Sequence, residues 1–586
     1  MKIGYFEHWS RPHWNFTDFI KEEGYDIEKI DFSNKNYLEK YDIVLVEQNG
    51  FNDYIENDEL YIQDWVSRGG IFLFMHQDYM RWAPCFLPEH LNNTKLIHRY
   101  IPTIGGASFN GQESNYMIYM MPWAVGQGKA LFHYPEKIAP DEMLGWHIKV
   151  NSFTIIRGKP DQDISEYVRT SALSCYLADE NWEVLGTYMD PGVRDGALLL
   201  QGRHGKGMYF LNQILVPEVI TESNKSCLAF WRKYLKNLMH YFANFKAGIT
   251  DPIPEKGSLP AGKRNYKLCI HMHSLDWYGC DASPGTINAL MRQMGYDICS
   301  LAVKDAAPYK GKLDPKEYSD DKVLFLDGQE YHPFNWKDRM DARTHNGYHL
   351  LAIGTDHDAY TAEYTKSIFG DEEVDAYLKK ALKYINDRHG ASVATHPQMT
   401  DYWFDYPVDA VDIEPLRPLT GTPVETYWLK GGKVTMMDSV DLFGTRRMYW
   451  NPAVNFVYLA DGETPCRDSV VAAIKAGHNI AACGFKEADI TCNGAIPGST
   501  IQKQESMQIH VTAATLDVNI KEVRIYADAK LILCDTVDVE RLDKDYTVNV
   551  PAETKHFLRV EVSGPVVEEN KMTENRIAAS TPFYFN

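Results

Sequence analysis

His271 and His273, Glu330, His349, His396 and Asp438 are scattered through the middle of a 586-residue chain, and most of them close a short apolar run that reads as a β-strand. Imidazole and carboxylate groups held by separate strands around one mouth suit a site for two divalent cations, and zinc, manganese and iron all accept such ligands. The chemistry expected is metal-assisted hydrolysis, in which two cations share a hydroxide near neutral pH and polarise the bond under attack. His271 and His273 fall on one face of their strand because side chains alternate with period two. The run KLCI ahead of them supplies the buried support. One His-x-His is within chance for a chain with 20 histidines, so its weight comes from its context.

Each remaining candidate has a plainer alternative. Glu330 follows VLFLDG, where a carboxylate either bridges two cations or is a solvated strand end. His396 directly follows the strand in SVATHPQ, ahead of a proline that fixes the turn. Asp438 closes KVTMM and is either a surface aspartate or a ligand that also orients the nucleophile and takes its proton. His349 opens its strand, and His345, Asp356 and His357 compete for its role. Lys304, Arg343, Arg446 and Arg447 are the cations available to an anionic substrate, although an arginine pair is more often a surface feature. Asp438, Glu330, Lys304 and Arg446 are the expected catalytic set.

The elements that must position these residues fall into three parts. Residues 1–246 alternate strand and helix patterns (KIGYF, WNFTDFIKEEG, YDIEKIDF, YDIVLVEQ, LYIQDWVSRGG, IFLFMHQD) and close with GMYFLNQIL and a long amphipathic helix, which predicts an α/β domain with a parallel sheet. Residues 247–265, rich in Pro, Gly and charge, read as a linker. Residues 266–490 hold about eight strands with intervening helices and predict a closed or distorted (β/α) barrel. From 491 to 586 the pattern is alternating β-type runs between polar turns, which predicts a small antiparallel β-sandwich. The fold class expected is therefore multidomain α/β.

A net charge of -20 argues against DNA or RNA as a partner, since that affinity rests on clustered Lys and Arg. A small anionic or carbohydrate-derived substrate is compatible with it, because bound cations supply local positive charge; so is a homo-oligomer. Ten cysteines without a CxxC pair fit reduced thiols. The opening MKIGYFEHWSRP has no apolar signal core, and no run approaches 18 apolar residues, so cytoplasmic residence without membrane partners is expected.

In motif order, the middle of the chain resembles the polymerase-and-histidinol-phosphatase (PHP) metallohydrolases, especially the carbaryl-hydrolase-like branch with a C-terminal β domain. The landmarks are HMHS at 271–274, GYDICSLAVKD at 295–305, DGQEY at 327–331, YHLLAIG at 348–354, ATHP at 394–397, MDS at 437–439 and AIKAGHNIAACG at 473–484. The resemblance implies one ion on His271, His273, Glu330 and Asp438, and a second on Glu330, His349 and His396. Three family ligands are missing: the chain has Lys304-Asp305-Ala306 where the family reads Thr-Asp-His, Asp438-Ser439-Val440 where it reads Asp-x-His, and no histidine near Gly279. Those three would form a third metal site, so two cations are expected, with small phosphoesters as substrates and carboxyl-ester, amide or carbamate hydrolysis as the alternative.

DWVSRGGIFLFMHQD and GRHGKGMYFLNQI resemble class-I glutamine-amidotransferase-like domains of the ThuA-like subgroup, which implies a flavodoxin-like first domain. The elbow reads Phe74-Met75-His76-Gln77, without the nucleophilic cysteine that glutaminases need, and Cys85 is too far along to replace it. His76 and His204 either line a sugar pocket or are ordinary packing residues. Two other functions stay open: a non-catalytic carbohydrate- or ligand-binding protein using aromatic loops such as DYWFDYP at 401–407 and RMYW at 447–450, and a metal-assisted sugar lyase or isomerase.

Overall fold

The computed structural model describes the chain except for residues 7–15, 48–54, 56, 76, 78–81, 83, 104–122, 144–168, 188–195, 215–224, 274–283, 305–314, 332–348, 356–373, 396–403, 414–415, 417, 441–451 and 570–571. It is mixed α/β with several sheets and divides into two compact units. One is Met1–Glu255 with Tyr278–Leu290 and Lys310–Leu313; the other is Lys256–Trp277, Met291–Tyr309 and Asp314–Asn586. No helix among the described residues is long and apolar enough to cross a membrane.

In the first unit, five strands run parallel in the spatial order Asp26–Lys29, Lys2–Phe6, Ile43–Val46, Ile71–Phe74, Gly207–Asn212. The central runs IVLV and IFLF are buried at every position, as strands covered on both faces must be. Ala197–His204 pairs antiparallel with Gly207–Asn212, and the sheet continues to Arg169–Leu177 and Lys95–Thr103. The helix Lys225–Ala247 buries Phe230, Trp231, Tyr234, Leu235, Leu238 and Phe242, the spacing of a single helical stripe. At the carboxyl ends of the parallel strands, buried amides clasp the backbone. Gln77 Nε2 donates to Glu47 O at 2.8 Å and Met75 O at 2.9 Å, and Gln213 Nε2 donates to Gln77 O at 2.8 Å.

The second unit divides its strands between two main sheets. A six-stranded sheet runs Val303–Lys304, Gly328–Tyr331, Leu350–Ile353, Ala391–Ala394, Ala410–Asp412, Thr435–Met437. An eleven-stranded sheet runs Leu324–Leu326, Ile298–Leu301, Tyr266–Met272, Ala453–Val457, Asn479–Cys483 and on into Ile577–Ser580, Phe557–Ser563, Ile520–Ala527 and Lys530–Val539. Gly328–Tyr331 with Leu350–Ile353, and Leu350–Ile353 with Ala391–Ala394, are antiparallel, where a regular (β/α) barrel has parallel neighbours.

Among the described residues the tail beyond 491 is all β, and its strands do not close only on one another. Asn479–Cys483 pairs with Ile577–Ser580 through the register Ile480↔Ser580 to Cys483↔Ile577. One apolar cluster accordingly holds Leu350, Leu378, Trp428 and Met436 together with Phe557 and Ile577. A separate three-stranded sheet joins Phe485–Cys492, Ser506–Thr515 and Arg541–Asn549.

Candidate metal centre

The strand Tyr266–Met272 delivers the two histidines, but not by simple alternation. Its parallel register with Ile298–Leu301 shifts between Cys269 and Met272, and His271 takes φ 61°, in the left-handed region. A non-glycine residue held there costs about 1–3 kcal/mol, and such irregularities re-aim side chains beside functional sites. The His271 and His273 rings end 5.1 Å apart, edge to face. Both are buried. Burial, and then the nearby Asp438 carboxylate, push the Cys269 thiol far up, so it fills space here as a neutral group.

Glu330 enters from the strand Gly328–Tyr331 and touches three imidazoles. Its Oε1 lies 3.2 Å from His271 Nε2 and 2.8 Å from His349 Nδ1, and its Oε2 lies 3.1 Å from His273 Nε2. His349 precedes Leu350–Ile353, and its carbonyl accepts from both N and Oγ1 of Thr395 at 2.9 Å. The start of the Glu330 strand tolerates no side chain. A Cβ on Gly328 would stand 2.0 Å from Leu301 O and 2.9 Å from Ala352 O, backbone atoms on both sides. Gly328→Ala should therefore lower stability by about 1–3 kcal/mol as the strand is pushed aside; an unchanged urea midpoint would contradict this close approach.

A hydrogen bond fixes one ring nitrogen of His273. His273 Nδ1 lies 2.7 Å from Ala302 O, and a carbonyl only accepts, so Nδ1 carries a proton, and in the neutral form of the ring the lone pair is on Nε2. Ala302 is itself anchored through its N–H to Met272 O at 2.8 Å. The Nε2 lone pair then faces a carboxylate oxygen, and two acceptors in contact require a proton or a cation between them. Ligands about 2.0–2.1 Å from a tetrahedral ion are about 3.3 Å from one another. The N···O separations, 3.1 Å to Oε2 and 3.2 Å to Oε1, place one imidazole against each carboxylate oxygen, close to that edge and equally at hydrogen-bond length. The nitrogen and oxygen atoms offered by His271, His273 and Glu330 all lie within 4.8 Å of one another, so this buried group could hold a metal ion.

Asp438 is buried just beyond Thr435–Met437 but is not one of that group. A ladder of buried amides holds its main chain: Asp438 N donates to Asn455 Oδ1 at 3.1 Å, Asn455 Nδ2 donates to Asp438 O at 2.7 Å, and Asn479 Nδ2 donates to Asn455 Oδ1 at 3.2 Å. Lys304 lies opposite Glu330 in the sheet register, with its side chain outside the described residues. His396, Arg446, Arg343 and Arg447 also lie outside them, as do His345, Asp356, His357 and His76.

Asp412 went unnoticed in the sequence. It ends the strand Ala410–Asp412, is fully buried, accepts from Ser439 Oγ at 2.5 Å and lies 3.9 Å from His271 Nδ1. The available signal was a carboxylate inside the apolar run AVDI.

No family model and no curated protein matches this chain. Among solved structures, it is similar to a cytoplasmic protein from Salmonella typhimurium at 13% identity and TM-score 0.24, over 41% of this chain and 98% of that one. It is similar to an exo-β-1,4-mannosidase from an Opitutaceae bacterium at 11% identity and TM-score 0.20, over 42% of this chain and 35% of that one. A β-galactosidase from Bacillus circulans follows at 14% identity and TM-score 0.18, over 44% and 32%. Likenesses this slight carry no argument about fold or function.

Proposed function

We propose that the chain is a metal-dependent hydrolase of the PHP type with a dinuclear centre, acting on small phosphoesters. One observation carries the reading: in a buried site His273, with Nδ1 committed to the Ala302 carbonyl, sets its Nε2 3.1 Å from a Glu330 oxygen. The three-way reach of Glu330 to His271, His273 and His349 supports placing it between two cations. His271, His273, Glu330 and Asp438 would hold one, and Glu330, His349 and His396 its partner. When bound, the cations would supply a hydroxide near neutral pH and polarise the scissile bond. Asp438 would take the proton of the attacking water, and Lys304 and Arg446 would hold an anionic substrate.

The order of the five parallel strands in the first unit supports reading it as flavodoxin-like, related to the amidotransferase-like domains but without glutaminase activity. The test is metal content by elemental analysis after reconstitution with zinc, manganese or iron, with the same samples assayed on aryl phosphates, aryl esters and aryl carbamates. About two ions per chain with phosphate release is the result expected of a dinuclear centre. Ester or carbamate turnover without phosphate release would move the substrate class, and no bound metal would overturn the reading.

A further inference from the structure

We infer that Asp412 is a positioning residue for His271, held in place by Ser439. The inference rests on the metal reading above and adds to it the group that decides which ring nitrogen of His271 is offered to a cation.

The His271 ring lies between two carboxylates. Nε2 is 3.2 Å from Glu330 Oε1, and on the opposite side Nδ1 is 3.9 Å from Asp412 Oδ2. That second separation is too long for a hydrogen bond; at 3.9 Å the contact is electrostatic. Its effect on the neutral ring is nevertheless directional. A negative oxygen beside Nδ1 favours the tautomer with the proton there, which leaves the Nε2 lone pair on the Glu330 side.

His273 reaches the same state by other means, through the Ala302 carbonyl at 2.7 Å from Nδ1. One imidazole is thus set by a backbone carbonyl and the other by a buried carboxylate. His271 has the greater need of such a hold, because its backbone sits at φ 61° beside a register shift.

Asp412 is built for the task. Its strand lies between Ala391–Ala394 and Thr435–Met437, with Asp412 opposite Met437. Ser439, two residues further along that neighbouring chain, donates its hydroxyl to Asp412 Oδ2 at 2.5 Å, on the oxygen that faces His271. Asp412 Oδ1 has no hydrogen-bond partner among the described residues. Keeping a carboxylate fully buried with one side-chain donor among the described residues is costly, so a site that retains one for packing alone would be poorly built.

The test uses the full chain and cobalt(II) as the probe, with affinity read by competition against a chromogenic chelator and ligand geometry read from the visible bands. Asp412→Asn keeps the shape and an oxygen for the Ser439 hydroxyl but removes the negative charge that favours the proton on Nδ1. It should weaken cobalt binding about 10–100-fold and shift the bands, while melting of the metal-free protein stays near wild type. Ser439→Ala, which frees Asp412 without removing its charge, should weaken binding by a smaller factor. Asp412→Glu should recover part of the loss in affinity. Wild-type affinity and spectrum in Asp412→Asn would overturn the inference and leave the metal reading standing; if that variant fails to fold, unchanged binding in Ser439→Ala overturns it instead. No cobalt bound by the wild type would overturn the metal reading, and this inference with it.

Discussion

Glu330→Gln should empty the centre, and it should do so without unfolding the chain. Glu330 is in contact with His271, His273 and His349 together, so its loss removes a ligand from each cation position proposed for these residues. Elemental analysis should find metal content reduced to a small fraction of wild type. Turnover should fall by at least about 10²–10³-fold, the effect of deleting one electrostatic group from a transition-state site. The amide matches the carboxylate in shape and brings donors that the Nε2 lone pair of His273 can accept, so the metal-free variant should melt at or above the temperature of metal-free wild type.

Added metal should reverse that order. Wild type gains about 2.7 kcal/mol when free metal stands at 100 times the dissociation constant, and the variant gains almost nothing. Melting curves of both proteins with excess chelator and with excess zinc would show the crossing. If the variant gained as much as wild type from zinc, Glu330 would not be a ligand.

What the sequence made legible, and what it left hidden, follows from the range of the forces involved. IVLV, IFLF, ASVA and the helix Val374–Asp387 announce themselves because burial imposes its periodicity locally. His271, His273, Glu330 and His349 could be singled out because metal-ligating types at strand ends are uncommon, and these four are brought together. The bulge at His271 was not readable: LCIHM alternates acceptably with or without it, and only the register against Ile298–Leu301 imposes φ 61°. Nor was Asp412, since an aspartate beside a strand end is ordinarily solvated and its burial depends on Ser439 and His271 arriving from other strands.

The same limit applies to architecture. Nothing in NIAAC says that its neighbour is IAAS, about a hundred residues later. A division into a barrel and a separate sandwich is the natural reading of composition, and strand pairing is decided by contacts that composition does not carry.

That pairing makes Arg559→Met the substitution with the largest expected cost to stability. Arg559 lies on Phe557–Ser563 with its side chain fully buried. Its guanidinium donates to Glu425 Oε1 at 2.6 Å, pairs with Glu561 and stacks 3.9 Å from the centre of the Tyr526 ring. The two carboxylates are tied in turn to the segment that follows Asp412. Glu561 Oε1 accepts from Leu419 N at 3.0 Å, and Glu425 Oε2 accepts from Gly421 N at 2.7 Å. One cation thus joins the late β strands to the loop that leaves the Asp412 strand and to the helix Pro423–Leu429.

Methionine has similar bulk, so the change leaves little cavity and two buried carboxylates facing each other without their cation. Removing one partner from such a network costs about 3–5 kcal/mol, whereas replacing every member by neutral groups is often nearly free. The single variant should therefore lose about 3–5 kcal/mol, and Arg559→Met combined with Glu425→Gln and Glu561→Gln should recover most of it, because both amides can still accept the Leu419 and Gly421 N–H groups. Urea unfolding followed by tryptophan fluorescence reads both, with Trp428 buried in the affected cluster. A single variant as stable as wild type would mean that this junction does not bear on the fold. The expected loss would mean that residues 266–490 are not self-sufficient, since the strand Asn479–Cys483 and the loop after Asp412 both find their partners beyond residue 491.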